Sequence, residues 1–468
     1  MQEYDLIVIG SGPGGEKAAV KAAYFGYKVA LIEKETKFGG VCVNTGTLPS
    51  KSLKETSLYY SGKYDRGLYG MDRQFSRQTS IEDFMFRKNS VISSEEKAIF
   101  HNLIQHKVDI YKGVASFKDQ HVVQVKGETA QEIYGKHIII ATGSYPFHPN
   151  NIHFDNCRIH DSDTILNITR LPKSICILGA GVIGCEYATI FATIGAKVYL
   201  VNRTNEILPF IDQELAKSLI SQMQQDGLEV LFNNSVEEIT SPASDDQPLT
   251  IKLESGAPLE VDMFLFAAGR CGNTKELKCE NAGIKLGKRE TIEVDANYRT
   301  NIPHIYAVGD VVGFPSLAST SMDQGRVAVT HMFNTGDLDH LATVFPYGIY
   351  TIPEISMVGI TEEEAKKNNM NYCTGLARHA DLPRGKIMGA KEGMLKLIFT
   401  RDDLIIRGVH IIGPLASEII HYGMTLVENK RTLLQVISTV FNYPTLHDLY
   451  KYACYDGLGN LNHHKIKP

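Results

Sequence analysis

Two stretches of the chain, about 170 residues apart, carry one pattern, and that pattern leaves few folds open. Asp5 to Glu35 reads DLIVIGSGPGGEKAAVKAAYFGYKVALIEKE, and Ser174 to Thr204 reads SICILGAGVIGCEYATIFATIGAKVYLVNRT. Each is an apolar strand, a glycine turn, an amphipathic helix of about 14 residues ending near a glycine, and a second apolar strand. Each is therefore a βαβ unit. The runs Lys136–Ala141 and Val261–Phe266 are followed by Thr142-Gly143 and by Ala267-Ala268-Gly269, and read as buried parallel strands. Polar, turn-rich stretches near 145–170 and 271–290 read as hinge regions. From about residue 346 the texture changes to strands of mixed polarity, such as Met394–Phe399, and a helical pattern over 417–440, with no glycine turn. The last residues, His463 to Pro468, read as a loose tail.

The chain has 468 residues, 43% hydrophobic and 22% charged, enough for roughly three domains. A net charge of -5 without long Lys or Arg runs gives no footprint for nucleic acid or an anionic membrane. The start, Met1-Gln2-Glu3-Tyr4-Asp5, is acidic where a signal peptide needs positive charge, and no run approaches the roughly 18 apolar residues of a membrane span. A cytoplasmic location is expected. The eight cysteines are scattered, with no CxxC pair and no histidine cluster at ligand spacing. No metal site is expected, and most of the thiols read as small buried apolar groups.

The glycine spacing carries the chemistry. Gly10, Gly12 and Gly15 follow their strand directly: the first allows the tight turn, the second lets a pyrophosphate approach the backbone, and the third lets helix and strand pack closely. Glu33 ends the next strand, where a carboxylate can accept from ribose hydroxyls. Gly179, Gly181 and Gly184 repeat the frame, but their second strand ends in Asn202-Arg203. An acid there would favour NAD and repel the 2′-phosphate of NADP, so its absence leaves both admissible. Arg203 is either a partner for that phosphate or a solvated surface charge. The fold class expected is α/β, with two Rossmann-like dinucleotide-binding domains and a C-terminal α+β domain, the dimerisation domain of the resemblance below. Two such sites in one chain suggest a tightly held FAD and a visiting NAD(H) or NADP(H).

In order, the FAD fingerprint, the loop GGVCVNTGTLPSK, Ala141-Thr142-Gly143, the second fingerprint, Ala267-Ala268-Gly269-Arg270, Val308-Gly309-Asp310 and the C-terminal domain resemble the pyridine nucleotide-disulfide oxidoreductases over essentially the whole length. The resemblance implies an FAD-binding domain in two parts, 1–150 and 274–345, an NAD(P)-binding domain at 151–273 and an interface domain at 346–468. It implies a homodimer or larger homo-oligomer. It places Thr142, Gly143 and Asp310 at FAD, Asp310 on the ribityl chain unless it merely caps a helix, and Gly269 at NAD(P). It also sets Lys51 near the flavin, paired with Glu186 from a turn at Gly184-Cys185-Glu186, where an ammonium would stabilise negative charge.

Two departures from the family pattern bear on activity. The disulfide-forming members carry C-x4-C, whereas here Cys42 is followed by Thr47, which can form no disulfide. They also carry a His-Pro with a Glu five residues after the His; in FNYPTLHDLY these positions hold Tyr443 and Asp448, and a phenol with a pKa of about 10 is a poor base. Both halves of the thiol chemistry are missing while both nucleotide sites remain. The segments GTLPSK, GAGVIGCEYA and GIYTIPEIS are similar to those of the transhydrogenases of this family. The resemblance implies reversible, Si-specific hydride transfer from NADPH to NAD⁺ through FAD. Cys42 would then tune the flavin or simply pack against it, and Tyr443 would fill the dimer cleft. The alternatives are an NAD(P)H dehydrogenase reducing quinones or other small acceptors, and a flavin-binding redox sensor without activity.

Overall fold

The computed structural model describes residues 1–63, 68, 80–242, 244 and 247–462, so the tail from His463 lies outside the described residues. The strand Gln2–Ile9 pairs in parallel with Val29–Glu33 on one side and Ala130–Ile140 on the other. Asp109–Lys112 extends the sheet beyond Val29–Glu33, and Ile305–Ala307 joins it in parallel beside Ile138–Ile140. The chain thus leaves this sheet and returns more than a hundred residues later, delivering Asp310 just past the returning strand. Leu6, Ile7 and Val8 are all fully buried, as expected of a strand covered on both faces.

A second parallel sheet has the order Glu229–Leu231, Lys197–Val201, Ser174–Leu178, Met263–Phe266, Ile159–Asp161. Val261–Phe266 is not one strand. Leu259–Val261 belongs to an antiparallel meander, and Asp262 separates it from Met263–Phe266 by accepting the amides of Lys173 and Ser174. The two chain crossings between the sheets pair with each other as a ribbon, Ser144–Pro146 against Arg270–Gly272. Arg270 locks this ribbon through Ser144 Oγ, the Ser144 carbonyl, Ser162 and Asp163, so the crossings are tied rather than free hinges.

The C-terminal region is an antiparallel sheet ordered Tyr347–Ile349, Ile355–Gly359, Ile406–Ile412, Met394–Thr400, Tyr372–Arg378. Helices Ala416–Glu428 and Asp448–Leu461 pack on it. The helical pattern over 417–440 is split. Thr432 forms a capping box with Gln435 and starts a second helix, Leu433–Ser438, while Lys430 takes a positive φ between them. Among the described residues no helix is long and apolar enough to cross a membrane.

The two glycine turns are near copies. Gly10 and Gly179 hold φ of +106° and +109°, a region that favours glycine. A Cβ on Gly15 would lie 2.0 Å from the Gly10 carbonyl oxygen, and one on Gly184 would lie 1.8 Å from that of Gly179. A Cβ on Gly181 would meet nothing within 4 Å, and one on Gly12 nothing closer than 4.0 Å. The third glycine is thus required by packing and the second is left open for something that approaches the backbone. Accordingly Gly184→Ala should lower stability by about 1–3 kcal/mol through overpacking. Gly181→Ala should leave the melting temperature unchanged yet weaken nucleotide binding. Thermal melts and titration calorimetry on the two variants check the contrast.

Candidate active site between the two dinucleotide units

A cavity of about 440 Å³ opens at the first glycine turn, lined by Gly10, Gly12, Glu33, Thr142, Gly143 and Asp310. Gly15 lies beneath it, closing helix onto strand. Glu33 is held before any ligand arrives. One carboxylate oxygen accepts from the Ser11 amide at 2.9 Å and the Ser11 hydroxyl at 2.6 Å, and the other accepts from the Glu35 amide at 2.9 Å. Asp310 accepts from the Ser144 hydroxyl at 2.9 Å, and Ser144 is fixed in turn by Arg270. Asn44 Oδ1 and Thr142 Oγ1 are buried in the lining without a hydrogen-bond partner. Unpaired buried polar atoms are costly, so this wall is built for a ligand that supplies hydroxyls or ring heteroatoms. With an open backbone at Gly12 and a preset carboxylate at Glu33, the donor set fits FAD.

Cys42 and Thr47 line the same cavity. Cys42 sits in the short helix Gly40–Asn44, and Thr47 begins the helix Thr47–Ser61. Burial pushes the Cys42 thiol above its ordinary pKa; a hydrogen bond with Thr47 and the charge of Lys51 act the other way, and Asp310 and Glu95 raise it further. The thiol is therefore neutral near pH 7. All eight cysteines are free: Cys42 is half-buried, Cys157 is exposed and the other six are buried.

Lys51 lies one helical turn beyond Thr47, on the same face. Its ammonium donates to both carboxylate oxygens of Glu186, at 2.8 and 2.7 Å. Glu186 stands within the helix Val182–Thr193 rather than on a turn, because that helix begins directly after Gly181. A third member of this group was not legible in the spacing. The Tyr350 amide donates to Glu186 at 2.9 Å, and the Tyr350 ring lies 4.7 Å from the Lys51 ammonium. A neighbouring pair repeats the arrangement: Lys54 bonds Glu354, which accepts from the amide and hydroxyl of Ser417.

At the second turn, Asn202 occupies the place that Glu33 has at the first. Its Oδ1 accepts the Ala180 amide at 3.1 Å, as Glu33 accepts that of Ser11. Its amide nitrogen donates to Thr204 Oγ1 and to the Glu206 carbonyl, organising the loop that follows. Arg203 is exposed on that loop. Gly269 follows the strand Met263–Phe266 beside the Gly179 turn, accepts the Phe147 amide, and is outside the first cavity. The first-site residues therefore converge on one cavity, whereas Gly179, Gly181, Gly184, Asn202 and Arg203 gather around a separate turn. Ser11, Asn44, Ser144 and Tyr350 are the residues that spacing alone missed. Ser11, between two motif glycines, was the one with a local signal.

A neutral, half-buried thiol alkylates more slowly than an exposed one. Iodoacetamide near neutral pH should therefore modify Cys157 well before Cys42, as read by mass-spectrometric peptide mapping. Equal labelling rates would contradict the burial argument.

The pyridine nucleotide-disulphide oxidoreductase model matches residues 4–325, and the dimerisation domain of the same family matches residues 345–454. The chain is 41% identical over 464 residues to a soluble pyridine nucleotide transhydrogenase of Mycobacterium bovis (strain BCG / Pasteur 1173P2), covering 98% of both chains. It is 40% identical over 467 residues to the protein of that name from Pseudomonas fluorescens (strain SBW25), covering 98% of this chain and 99% of the relative. Among solved structures it resembles a Cu(II) complex of the HOCl-induced flavoprotein disulfide reductase RclA from Escherichia coli. That match has a TM-score of 0.88 at 27% identity, covering 97% of this chain and 99% of that one. With two matched models accounting for nearly its whole length, the chain belongs to the pyridine nucleotide-disulphide oxidoreductase family.

Proposed function

We propose that this chain is an NAD(P)⁺ transhydrogenase: it moves hydride from NADPH to NAD⁺, and back, through the Si face of the nicotinamide, with FAD held in the first cavity. The observation that carries the reading is Cys42 facing Thr47 in that cavity while every cysteine is free, which leaves no disulfide to receive electrons. The transhydrogenase name of relatives at about 40% identity supports it.

Bound FAD supplies the hydride acceptor and donor that no side chain of this protein provides. The chain does the holding. Gly12 and the helix amides behind it receive the pyrophosphate, Glu33 the ribose hydroxyls, and Asp310 the ribityl chain. Lys51, held by Glu186 and the Tyr350 ring, would supply positive charge beside the ring system of bound FAD, where negative charge would build. Gly179, Gly181 and Gly184 receive each visiting nucleotide in turn. Asn202 brings no negative charge against a 2′-phosphate, so one cleft serves both. The product leaves with the same nicotinamide chemistry as the substrate, and the ratio of the two nucleotide pools sets the direction. The interface domain would pair two copies, and the 74% exposure of Tyr443 in the single chain supports a contact with the second.

The direct assay follows the purified flavoprotein under anaerobic conditions with NADPH and thio-NAD⁺. Thio-NADH should accumulate, and Cys42→Ser should keep the rate within a few-fold of the parent. No thio-NADH, together with fast turnover of a quinone, would assign the protein to quinone reduction instead.

Cofactor breadth has its own check. Asn202→Glu introduces a carboxylate where a 2′-phosphate would lie, and the affinity for NADP⁺ should fall at least about tenfold more than that for NAD⁺. The loop bonds of Asn202 are lost for both nucleotides, so the ratio isolates the charge. Equal losses would contradict the role given to Asn202.

A further inference from the structure

An exposed aromatic cluster lies outside the cavity and is used by none of the roles above. Tyr347 has three aromatic neighbours: Phe210 at 5.5 Å between centroids, Phe314 at 6.4 Å with planes 15° apart, and Phe345 at 6.4 Å. Phe314 is 82% exposed and Phe210 is 41% exposed, so the cluster is an open apolar surface and not a core. Three separate stretches of the sequence build it, which is why no local pattern reveals it.

Its position follows from its anchors. Phe314 comes four residues after Asp310, and Ser316, two residues on, lines the flavin cavity. The Tyr347 hydroxyl donates to the Pro315 carbonyl at 2.7 Å, fixing Tyr347 against that loop, and Asp310 is close enough to act on the Tyr347 phenol. Three residues beyond Tyr347 is Tyr350, which holds the Lys51–Glu186 pair. Phe210 belongs to the opposite side. Its loop is pinned to the second glycine turn by the Leu208 amide, which donates to the Ala180 carbonyl at 3.1 Å, with Leu208 fully buried at a positive φ. The cluster therefore runs from the second glycine turn to the mouth of the first cavity, the span a nucleotide must cross to bring its nicotinamide to the flavin.

We propose that Phe210, Phe314 and Tyr347 form a stacking platform for the part of the visiting nucleotide that NAD and NADP share, its nicotinamide and adjoining ribose. This rests on the transhydrogenase reading. A cleft that must take both nucleotides gains nothing from a contact made only by one of them, and planar aromatic faces recognise a flat ring whatever the 2′ position carries. The platform supplies affinity to both, complementing Asn202, which discriminates against neither.

The test is titration calorimetry of NAD⁺ and of NADP⁺ into the oxidised holoenzyme, for the parent, Phe314→Ala and Phe314→Tyr. Phe314→Ala should weaken both nucleotides by a similar factor, roughly 3- to 10-fold, and Phe314→Tyr should restore both. Melting temperature and size-exclusion elution should not move, because the Phe314 ring is mostly exposed. Unchanged affinity for both nucleotides overturns the platform, as does a loss confined to one of them. Dissociation of the oligomer with affinity intact also overturns it and makes the cluster a contact between copies. Binding to the oxidised protein needs no turnover. A ring-dependent affinity without NADPH-to-NAD⁺ exchange would therefore sink the functional reading alone, while exchange without ring dependence would sink the platform alone.

Discussion

The Lys51–Glu186 ion pair is the interaction on which the arrangement depends. Lys51 comes from the helix that begins beside the flavin cavity, Glu186 from the helix of the second dinucleotide unit, and Tyr350, which touches both, from the C-terminal region. One cation thus ties together three separate parts of the chain. Glu186 is almost fully buried, and Lys51 retains 23% side-chain exposure. Removing one partner of a buried pair costs about 3–5 kcal/mol, and this half-sheltered lysine sits at the low end. Its value is positional: the pair that joins these segments also fixes a positive charge near enough to Cys42, on the cavity wall, to act on its thiol. Lys54 and Glu354, one turn along, strengthen the same joint.

Around that joint the two nucleotide units differ in one informative detail. Both use the amide between the first two glycines to hold the side chain at the end of the second strand, Ser11 to Glu33 and Ala180 to Asn202. The bond is conserved between the two halves of the chain while the charge is not. At the first turn a carboxylate suits a ligand that stays. At the second, a neutral amide keeps the loop ordered and brings no charge to the turn.

Much of this could be read from the residues alone because the constraints were steric and local. Gly15 and Gly184 are glycine because a methyl group would overlap a carbonyl, and a fixed spacing announces that. Lys51 and Glu186 were found only through resemblance, since 135 positions separate them and nothing in either neighbourhood implies the pair. Tyr350, the Arg270 clamp on the ribbon and the loop bonds of Asn202 are products of tertiary contact between distant segments. The split of the helical pattern at 417–440 was missed for a different reason: the apolar period continues across it, and the cap at Thr432 overrides the period.

What separates this chain from a disulfide reductase is the electron capacity of its centre. Cys42 is a neutral thiol facing a hydroxyl, so the cavity lining holds no cysteine pair that could share electrons with a bound flavin. An anaerobic dithionite titration of the holoenzyme measures this directly. Full bleaching at two electrons per FAD is the expected end point. Uptake of four electrons, with the flavin bleached only in the second half, would show that a cysteine pair takes part and would contradict the proposed hydride route.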